Sequence, residues 1–230
     1  MRRLTLEGLD GPDAGKRALI LANGAPPTVQ RLARAVARAS FFVALDGAGQ
    51  VAMRLGLRPD CIIGDLDSVD RSRVEGIPLI QDPDQETNDL EKGLSWLLVR
   101  GFTQVHVLGA TGKRFDHALK NLSVLKQFNE KISCYFEDED ALMMLLTTEQ
   151  SAVEIRGQVG QTLSLFPLSG KVEGIQTEGL LYPLHDEPLE NGVRDGSSNV
   201  LEQACARVRI RAGALLVYLV HVSEDHAWVS

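Results

Sequence analysis

The 230-residue chain is predicted to be an α/β protein in two parts, a parallel-sheet domain over residues 18–147 and a smaller all-β domain over residues 148–230. Three observations predict it. Through the first part, short apolar runs alternate with helix-length amphipathic segments, the pattern of a parallel sheet with helices on its faces. Asn23, Asp46, Asp65 and Gly109 each fall where an apolar run gives out, at the strand ends where such sheets bind ligands. From about residue 148 no helical stretch of useful length remains, and alternating runs are separated by glycine-containing turns. The first part reads as a parallel-sheet domain with a nucleotide site at its strand ends, and the second as an all-β unit.

Each element follows from local chemistry. Residues 18–22 are a short apolar run closed by Asn23-Gly24, a buried strand with a turn at its end. Thr28 caps a helix that points Leu32, Val36 and Ala39 inward and Arg31, Arg34 and Arg38 outward. Residues 41–45 form a second strand ending at Asp46-Gly47. Residues 50–55 form a short helix stopped by Gly56, and 61–63 a third strand ending at Gly64-Asp65. Residues 78–81 read as a fourth strand. Thr87 is expected to cap a helix carrying Leu90, Leu94, Leu97 and Leu98 and stopped by Gly101, with Asp89 and Glu91 at its positive end. Residues 105–108 are a fifth strand; 115–128 are helical, with Leu119, Leu122 and Leu125 on one face. In the second part, residues 152–156, 162–166, 204–211 and 215–222 read as strands. Residues 1–17, with Gly8, Gly11, Pro12 and Gly15, read as a loose extension.

Composition excludes several classes. With 44% hydrophobic and 24% charged residues the chain buries a real core. A formal charge of −7 argues against nucleic-acid binding, which depends on Lys and Arg neutralising phosphates. It does not exclude a nucleotide held through a cation. No run approaches the ~20 apolar residues of a membrane helix, and the start lacks the apolar core of a secretory signal. Cys61, Cys134 and Cys205 are too scattered for a metal site and point to reduced thiols in a cytoplasmic protein. Cys61 and Cys134 are expected to be buried small hydrophobes.

The chemistry concentrates in four clusters: Asp46-Gly47, Gly64-Asp65-Leu66-Asp67-Ser68, Asp84 to Asp89, and Gly109 to His117. Aspartates gathered at strand ends repel one another unless a cation joins them. Carboxylate oxygens suit Mg²⁺, which keeps some waters and is shared with substrate phosphates. Asp65-Leu66-Asp67 also fits a phosphatase signature in which the first aspartate becomes phosphorylated, but that chemistry needs a strongly apolar strand near the chain start. The segment from Gly109 to Lys113 lacks the spacing of a P-loop, since Val107 stands where the first glycine should be and Arg114 follows Lys113. The same physics still operates: glycines let the backbone approach a phosphate, a helix begins directly after, and Arg114 can fork onto two oxygens. Asp116-His117 is either an acid/base pair or a helix-start carboxylate with a structural histidine. Trp96 reads as core rather than ligand.

Taken together, these residues resemble the thiamine pyrophosphokinase family. The resemblance rests on Asn23-Gly24, Asp46-Gly47, Gly64 to Ser68, Gln85 to Lys92, and Gly109 to His117 with Asn121, in family order; Gly179 to Leu184 and Ser198-Asn199 match its late motifs. It implies a Rossmann-like nucleotide-binding catalytic domain followed by a β-sandwich that binds thiamine and dimerises, and transfer of the pyrophosphoryl group of ATP to the hydroxyl of thiamine, with Mg²⁺ as cofactor and a homodimer as the assembly. By the same resemblance Asp46, Asp67 and Asp89 hold the metal, and Asp65, Asp67, Asp89, Arg114 and Asp116 are catalytic. Asn23, Asp46, Gln85, Thr87, Asn88, Gly109, Gly112, Arg114 and His117 surround ATP, while Ser198, Asn199 and Tyr182 meet thiamine, with Trp228 a second aromatic candidate. Lys113 stands where the family usually has glycine, and Val200 where an acidic residue often follows Ser-Asn. Val200 keeps open a related pyrophosphokinase acting on a hydroxymethylpterin. A non-catalytic thiamine or nucleotide sensor is the alternative from another class.

Overall fold

The computed structural model describes residues 2–5, 8–10 and 16–222. In chain order the elements are β1 (Arg2–Thr5), β2 (Gly8–Asp10), β3 (Lys16–Leu21), α1 (Val29–Arg38), β4 (Phe41–Leu45), α2 (Ala48–Arg54), β5 (Cys61–Gly64), β6 (Leu79–Gln81), α3 (Asp89–Val99), β7 (Phe102–Leu108), α4 (Phe115–Phe128) and β8 (Ser133–Glu137). There follow β9 (Ala141–Thr147), β10 (Ala152–Arg156), β11 (Thr162–Pro167), β12 (Lys171–Glu178), β13 (His185–Glu190), β14 (Gly196–Val200), β15 (Cys205–Arg209) and β16 (Ala214–Val220). The chain divides into two compact units, Asp13–Asp138 and Met1–Pro12 with Glu139–Ser230.

In the first unit β8, β7, β3, β4, β5 and β6 lie side by side in that order, every pair parallel. The chain moves from β3 outward to β6, then returns to place β7 on the other flank of β3. The strand order therefore reverses at β3, and the ends of β3 and β7 sit together at the switch. Leu19, Leu21, Leu32, Ala44 and Ile62 are fully or nearly fully buried in one cluster, each contributing roughly 1.5–3 kcal/mol where a large aliphatic side chain leaves water.

The helices begin where side chains satisfy their first N–H groups. Thr28 Oγ1 accepts from Arg31 N at 3.2 Å, as its residue type predicts. At α3 the cap is Asn88, not Thr87. Asn88 Oδ1 accepts from Glu91 N at 2.9 Å, and Glu91 Oε2 accepts from Asn88 N at 3.1 Å. That reciprocal pair needs Glu three residues after the cap, which Asn88 has and Thr87 lacks. Leu119 is also corrected: it is 50% exposed, because the buried stripe of α4 runs through Val124, Leu125 and Phe128 instead. Cys61 and Cys134 are buried as expected. Trp96 is half-buried, stacked on Phe41 at 5.6 Å and covered by Arg100 at 3.5 Å.

The second unit is all-β. β13, β12, β15 and β10 are antiparallel neighbours, as are β14, β11, β16 and β9. Its membership differs from the sequence expectation at both ends. The division falls after Asp138 rather than after residue 147, because the wholly buried β9 pairs along its length with β16. Residues 2–5 and 8–10 are not a loose extension: β1 lies parallel to β10 and β2 folds back on β1. Leu4, fully buried, gives β1 a reason to stay. Among the described residues no helix is long and apolar enough to cross a membrane.

Candidate active site

The seam between β3 and β7 is closed by backbone alone. Ala22 N donates to Leu108 O at 2.8 Å, Gly24 N to Gly109 O at 2.8 Å, and Ala25 N to Thr111 O at 2.7 Å. A Cβ on Gly24 would lie 2.2 Å from Gly109 O and 2.3 Å from Thr111 O. Only glycine permits that approach. Gly109 itself has φ +69, so the loop turns away from the sheet and into the first turn of α4. Lys113 Nζ reaches back to donate to Asn23 O at 3.0 Å.

Beside this seam is a cavity of about 440 Å³. Asn23, Asp46, Asp65, Asp89 and Gly109 line it from the strand ends and the start of α3. Gln85, Thr87, Asn88, Arg114 and His117 line it from the loops and α4. Asp67 faces the same acidic group without lining the cavity, and neither Gly112 nor Asp116 lines it.

Carboxylate oxygens of Asp46, Asp65 and Asp67 lie within 4.8 Å of one another. Asp46 is 4% exposed and its Oδ1 is buried without a hydrogen-bond partner among the described residues. It sits directly after β4 at φ +44, a conformation that costs a non-glycine residue energy and marks functional positions. The Asp65 loop is held by its own turn: Asp67 N donates to Asp65 Oδ1 at 3.2 Å, Ser68 Oγ to Asp67 Oδ1 at 2.8 Å, and Gln81 Nε2 to Asp65 O at 3.1 Å. Asp89 stands over the group from α3. Burial first, and then the charge of Asp46, push its carboxyl up to about 6, with Lys92 opposing and Asp65 and Asp67 adding to the rise. Gly64 must be small here, since a Cβ would come 3.1 Å from both Asp89 Oδ1 and Asp46 Cβ. A buried orphan oxygen, three converging carboxylates and a fourth held against its charge fit a hard divalent cation.

The other wall is prepared for anions. The N-cap residue of α4, Arg114, makes no side-chain cap; the Asp116 carboxyl takes the His117 N–H instead, and a phosphate at this helix start would meet the positive end of its dipole. Arg114, largely exposed, is paired with Asp116 through Nε at 3.1 Å and through a second nitrogen. The Arg114 hydrogen bond holds the Asp116 carboxyl below its ordinary range. Asn88 Nδ2 donates to Asn121 Oδ1 at 2.9 Å, and Asn121 Nδ2 to Ala110 O at 2.7 Å. This chain ties the start of α3 to the glycine loop through α4. Asn88, with its oxygen used for capping, is thus engaged in holding the walls in register. Thr87 Oγ1 donates to Asp84 Oδ2 at 2.6 Å. Lys92, Asp84 and Ser68 also line the cavity; the sequence clusters contain them but assign them no role, and the spacing of Lys92, three residues after Asp89 on a helix, is the available signal for it.

In the second unit Asn199 is 5% exposed. Its Oδ1 accepts from Tyr182 N at 3.1 Å and Val200 N at 2.8 Å, while Nδ2 donates to Tyr182 O at 2.7 Å. Three of its four hydrogen-bonding positions are thus occupied by the backbone, which makes it the anchor of the Tyr182 loop. Ser198, at φ +57, and Tyr182, 64% exposed, face solvent. Trp228 lies outside the described residues.

Two family models match the chain: the catalytic domain of thiamin pyrophosphokinase over residues 32–136, and the vitamin B1 binding domain of the same enzyme over residues 150–215. Thiamine pyrophosphokinase 1 of Oryza sativa subsp. japonica is 28% identical over 170 residues, 68% of this chain and 64% of that protein. Thiamin pyrophosphokinase 1 of Caenorhabditis elegans is 25% identical over 94% of this chain and 93% of its own length. The fold matches the solved thiamine pyrophosphokinase of Bacillus subtilis with a TM-score of 0.79 at 21% identity, covering 90% of this chain and 100% of that one. It matches that of Candida albicans with the same TM-score of 0.79 at 17% identity, covering 90% of each chain. Both family models fall in order on the two units whose cavity and loops carry these residues, and the chain belongs to the thiamine pyrophosphokinase family.

Proposed function

We propose that the protein transfers the pyrophosphoryl group of ATP to the hydroxyl of thiamine, giving thiamine diphosphate and AMP. The observation that carries this reading is the convergence of Asp46, Asp65 and Asp67 within 4.8 Å, beside a phosphate-ready loop and helix start, in a chain matching both family models. In this reading the first unit is a Rossmann-like nucleotide-binding domain and the second a β-sandwich that recognises thiamine.

The thiamine oxygen attacks the β-phosphorus, and the bond to the α,β-bridging oxygen breaks to release AMP. Asp46, Asp67 and Asp89 would hold Mg²⁺, whose charge offsets that of the phosphate oxygens. Asp65 is the group that orients the hydroxyl and takes up its proton. Its place within the carboxylate group also makes it a metal ligand in waiting. Arg114 exchanges Asp116 for phosphate oxygens of the nucleotide, and the backbone of the glycine loop and the start of α4 complete the cradle. Such transfer is mostly positioning plus electrostatics, which suits a site whose walls are cross-linked by Asn88 and Asn121. Ser198 and Tyr182 meet the acceptor, with Asn199 fixing Tyr182 from behind and Ser164 Oγ accepting from Ser198 N. The active form is a homodimer.

Product analysis tests the reaction. With ATP, Mg²⁺ and thiamine, AMP and thiamine diphosphate should form in equal amounts and both should vanish on chelation. ADP with thiamine monophosphate, or AMP formed only with a hydroxymethylpterin, would displace this assignment. Light scattering checks the dimer.

A further inference from the structure

Lys92 has no part in the reaction as described, yet its placement is costly. Its side chain is only 3% exposed, and lysine is almost never buried without a partner. It is the fourth residue of α3, at the positive end of the helix dipole, where a cation is disfavoured. Among the described residues its ion pair is with Asp89, at 3.9 Å, longer than a hydrogen bond. A lysine serving as a structural counter-ion closes to contact, as Lys120 does on Glu91 at 2.8 Å. Lys92 instead lines the cavity, and its field reaches Asp89 on one side and Asp84 on another. Its backbone is fixed by the hydrogen bond from Lys92 N to Asn88 O at 3.1 Å, inside the first turn anchored by the capping pair. The ammonium is therefore a positioned point charge with unused donors, beside the carboxylates that gather the metal.

We propose that Lys92 is a substrate-contacting residue, whose ammonium donates to the phosphate oxygens of the bound nucleotide at the end being transferred. This rests on the reading of the cavity as the nucleotide site. A compact ammonium with three donors suits oxygens whose charge shifts as the bridge bond breaks.

The test compares the parent with Lys92→Met, Lys92→Gln and Lys92→Arg in three measurements. Mn²⁺ alone is titrated by electron paramagnetic resonance, Mg²⁺·ATP without acceptor by calorimetry, and turnover is followed as AMP. Lys92→Met should bind Mn²⁺ as tightly as the parent or more tightly, because a repelling charge is gone. Its affinity for Mg²⁺·ATP should fall roughly tenfold or more, the range of hydrogen bonds to charged groups. AMP formation should fall further, with KM for thiamine unchanged and Lys92→Arg regaining much of the ATP affinity. ATP affinity equal to the parent's overturns the proposal. So does a loss of Mn²⁺ affinity in step with that of ATP, which would mean that Lys92 only holds Asp89 in place. If Lys92→Met does not fold, the Gln and Arg variants give the same comparisons. A parent that makes no AMP but loses Mg²⁺·ATP affinity on substitution leaves the contact standing and removes the assigned reaction. A parent that binds no ATP removes both.

Discussion

Asp89 carries the clearest electrostatic cost in the protein. Its carboxyl is pushed up to about 6 from an ordinary 3.8 by burial and by Asp46. Between those values the folded state holds a proton that the unfolded chain has released. The contribution of Asp89 to the stability of the metal-free protein is therefore largest below about pH 4, is lost as pH rises through about 6, and stays at the lower level above it. Asp89→Asn removes the penalty. At neutral pH without metal its Tm should exceed the parent's by roughly 2–4 °C, the equivalent of about 1 kcal/mol in a domain of this size. The difference should shrink at pH 4, and the variant should lose most of the Mg²⁺-induced rise in Tm and nearly all AMP formation. Thermal scans at both pH values, with and without Mg²⁺, check all of this. A parent that outlasts the variant in the absence of metal would show that Asp89 is not under strain from its neighbours.

At the scale of elements, helix starts and strand ends are braced against each other by short polar side chains. Asn121 bridges Asn88 and Ala110 O, and Ala110 is 3% exposed. Asn121→Ala would leave that carbonyl without a donor, costing about 1–3 kcal/mol. Chemical denaturation should show the loss, and KM for ATP should rise because the loop is no longer held. Gly24→Ala is the sharper change, since its Cβ meets two backbone oxygens that cannot swing aside. It should cost about 2 kcal/mol or more and abolish nucleotide binding in calorimetry. The strands and helices of the first unit were legible because each keeps its period up to a glycine or aspartate. Gly56 and Gly101 end helices at φ +75 and +76, as the residue type foretells. The start of α3 was misplaced by one residue because Thr87 and Asn88 are both good caps, and only the pairing with Glu91 decides between them. The acidic group was legible from strand ends alone. The engagement of Asn199 with Tyr182 was not, because it joins residues 17 apart through backbone geometry that no local pattern reports.

At the scale of the whole molecule, the second unit draws on both ends of the described chain. Its strands β12, β13 and β14 escaped the sequence reading because they are broken by bulges or are polar. β1 escaped because four residues beside glycine-rich sequence carry no period of their own. Leu4 is the single apolar residue that commits β1, and it is fully buried. Leu4→Ala should cost about 2–5 kcal/mol, as for other buried leucines. If the second unit unfolds separately from the first, hydrogen exchange should speed up in β10 and β15 and leave β3 and β7 protected. Uniform loss of protection would show that the two units unfold as one.

The pairing of β1 with β10 also sets an order of events at the ribosome. Arg3 meets Glu154 across 151 positions, and at 5–20 residues per second roughly ten seconds or more pass before that partner strand is made. The first unit, whose residues are contiguous, can collapse during the wait. β1 thus emerges well before its partner and is among the last of the described strands to find its place, and for that interval its edge is open to any chaperone or neighbouring chain within reach.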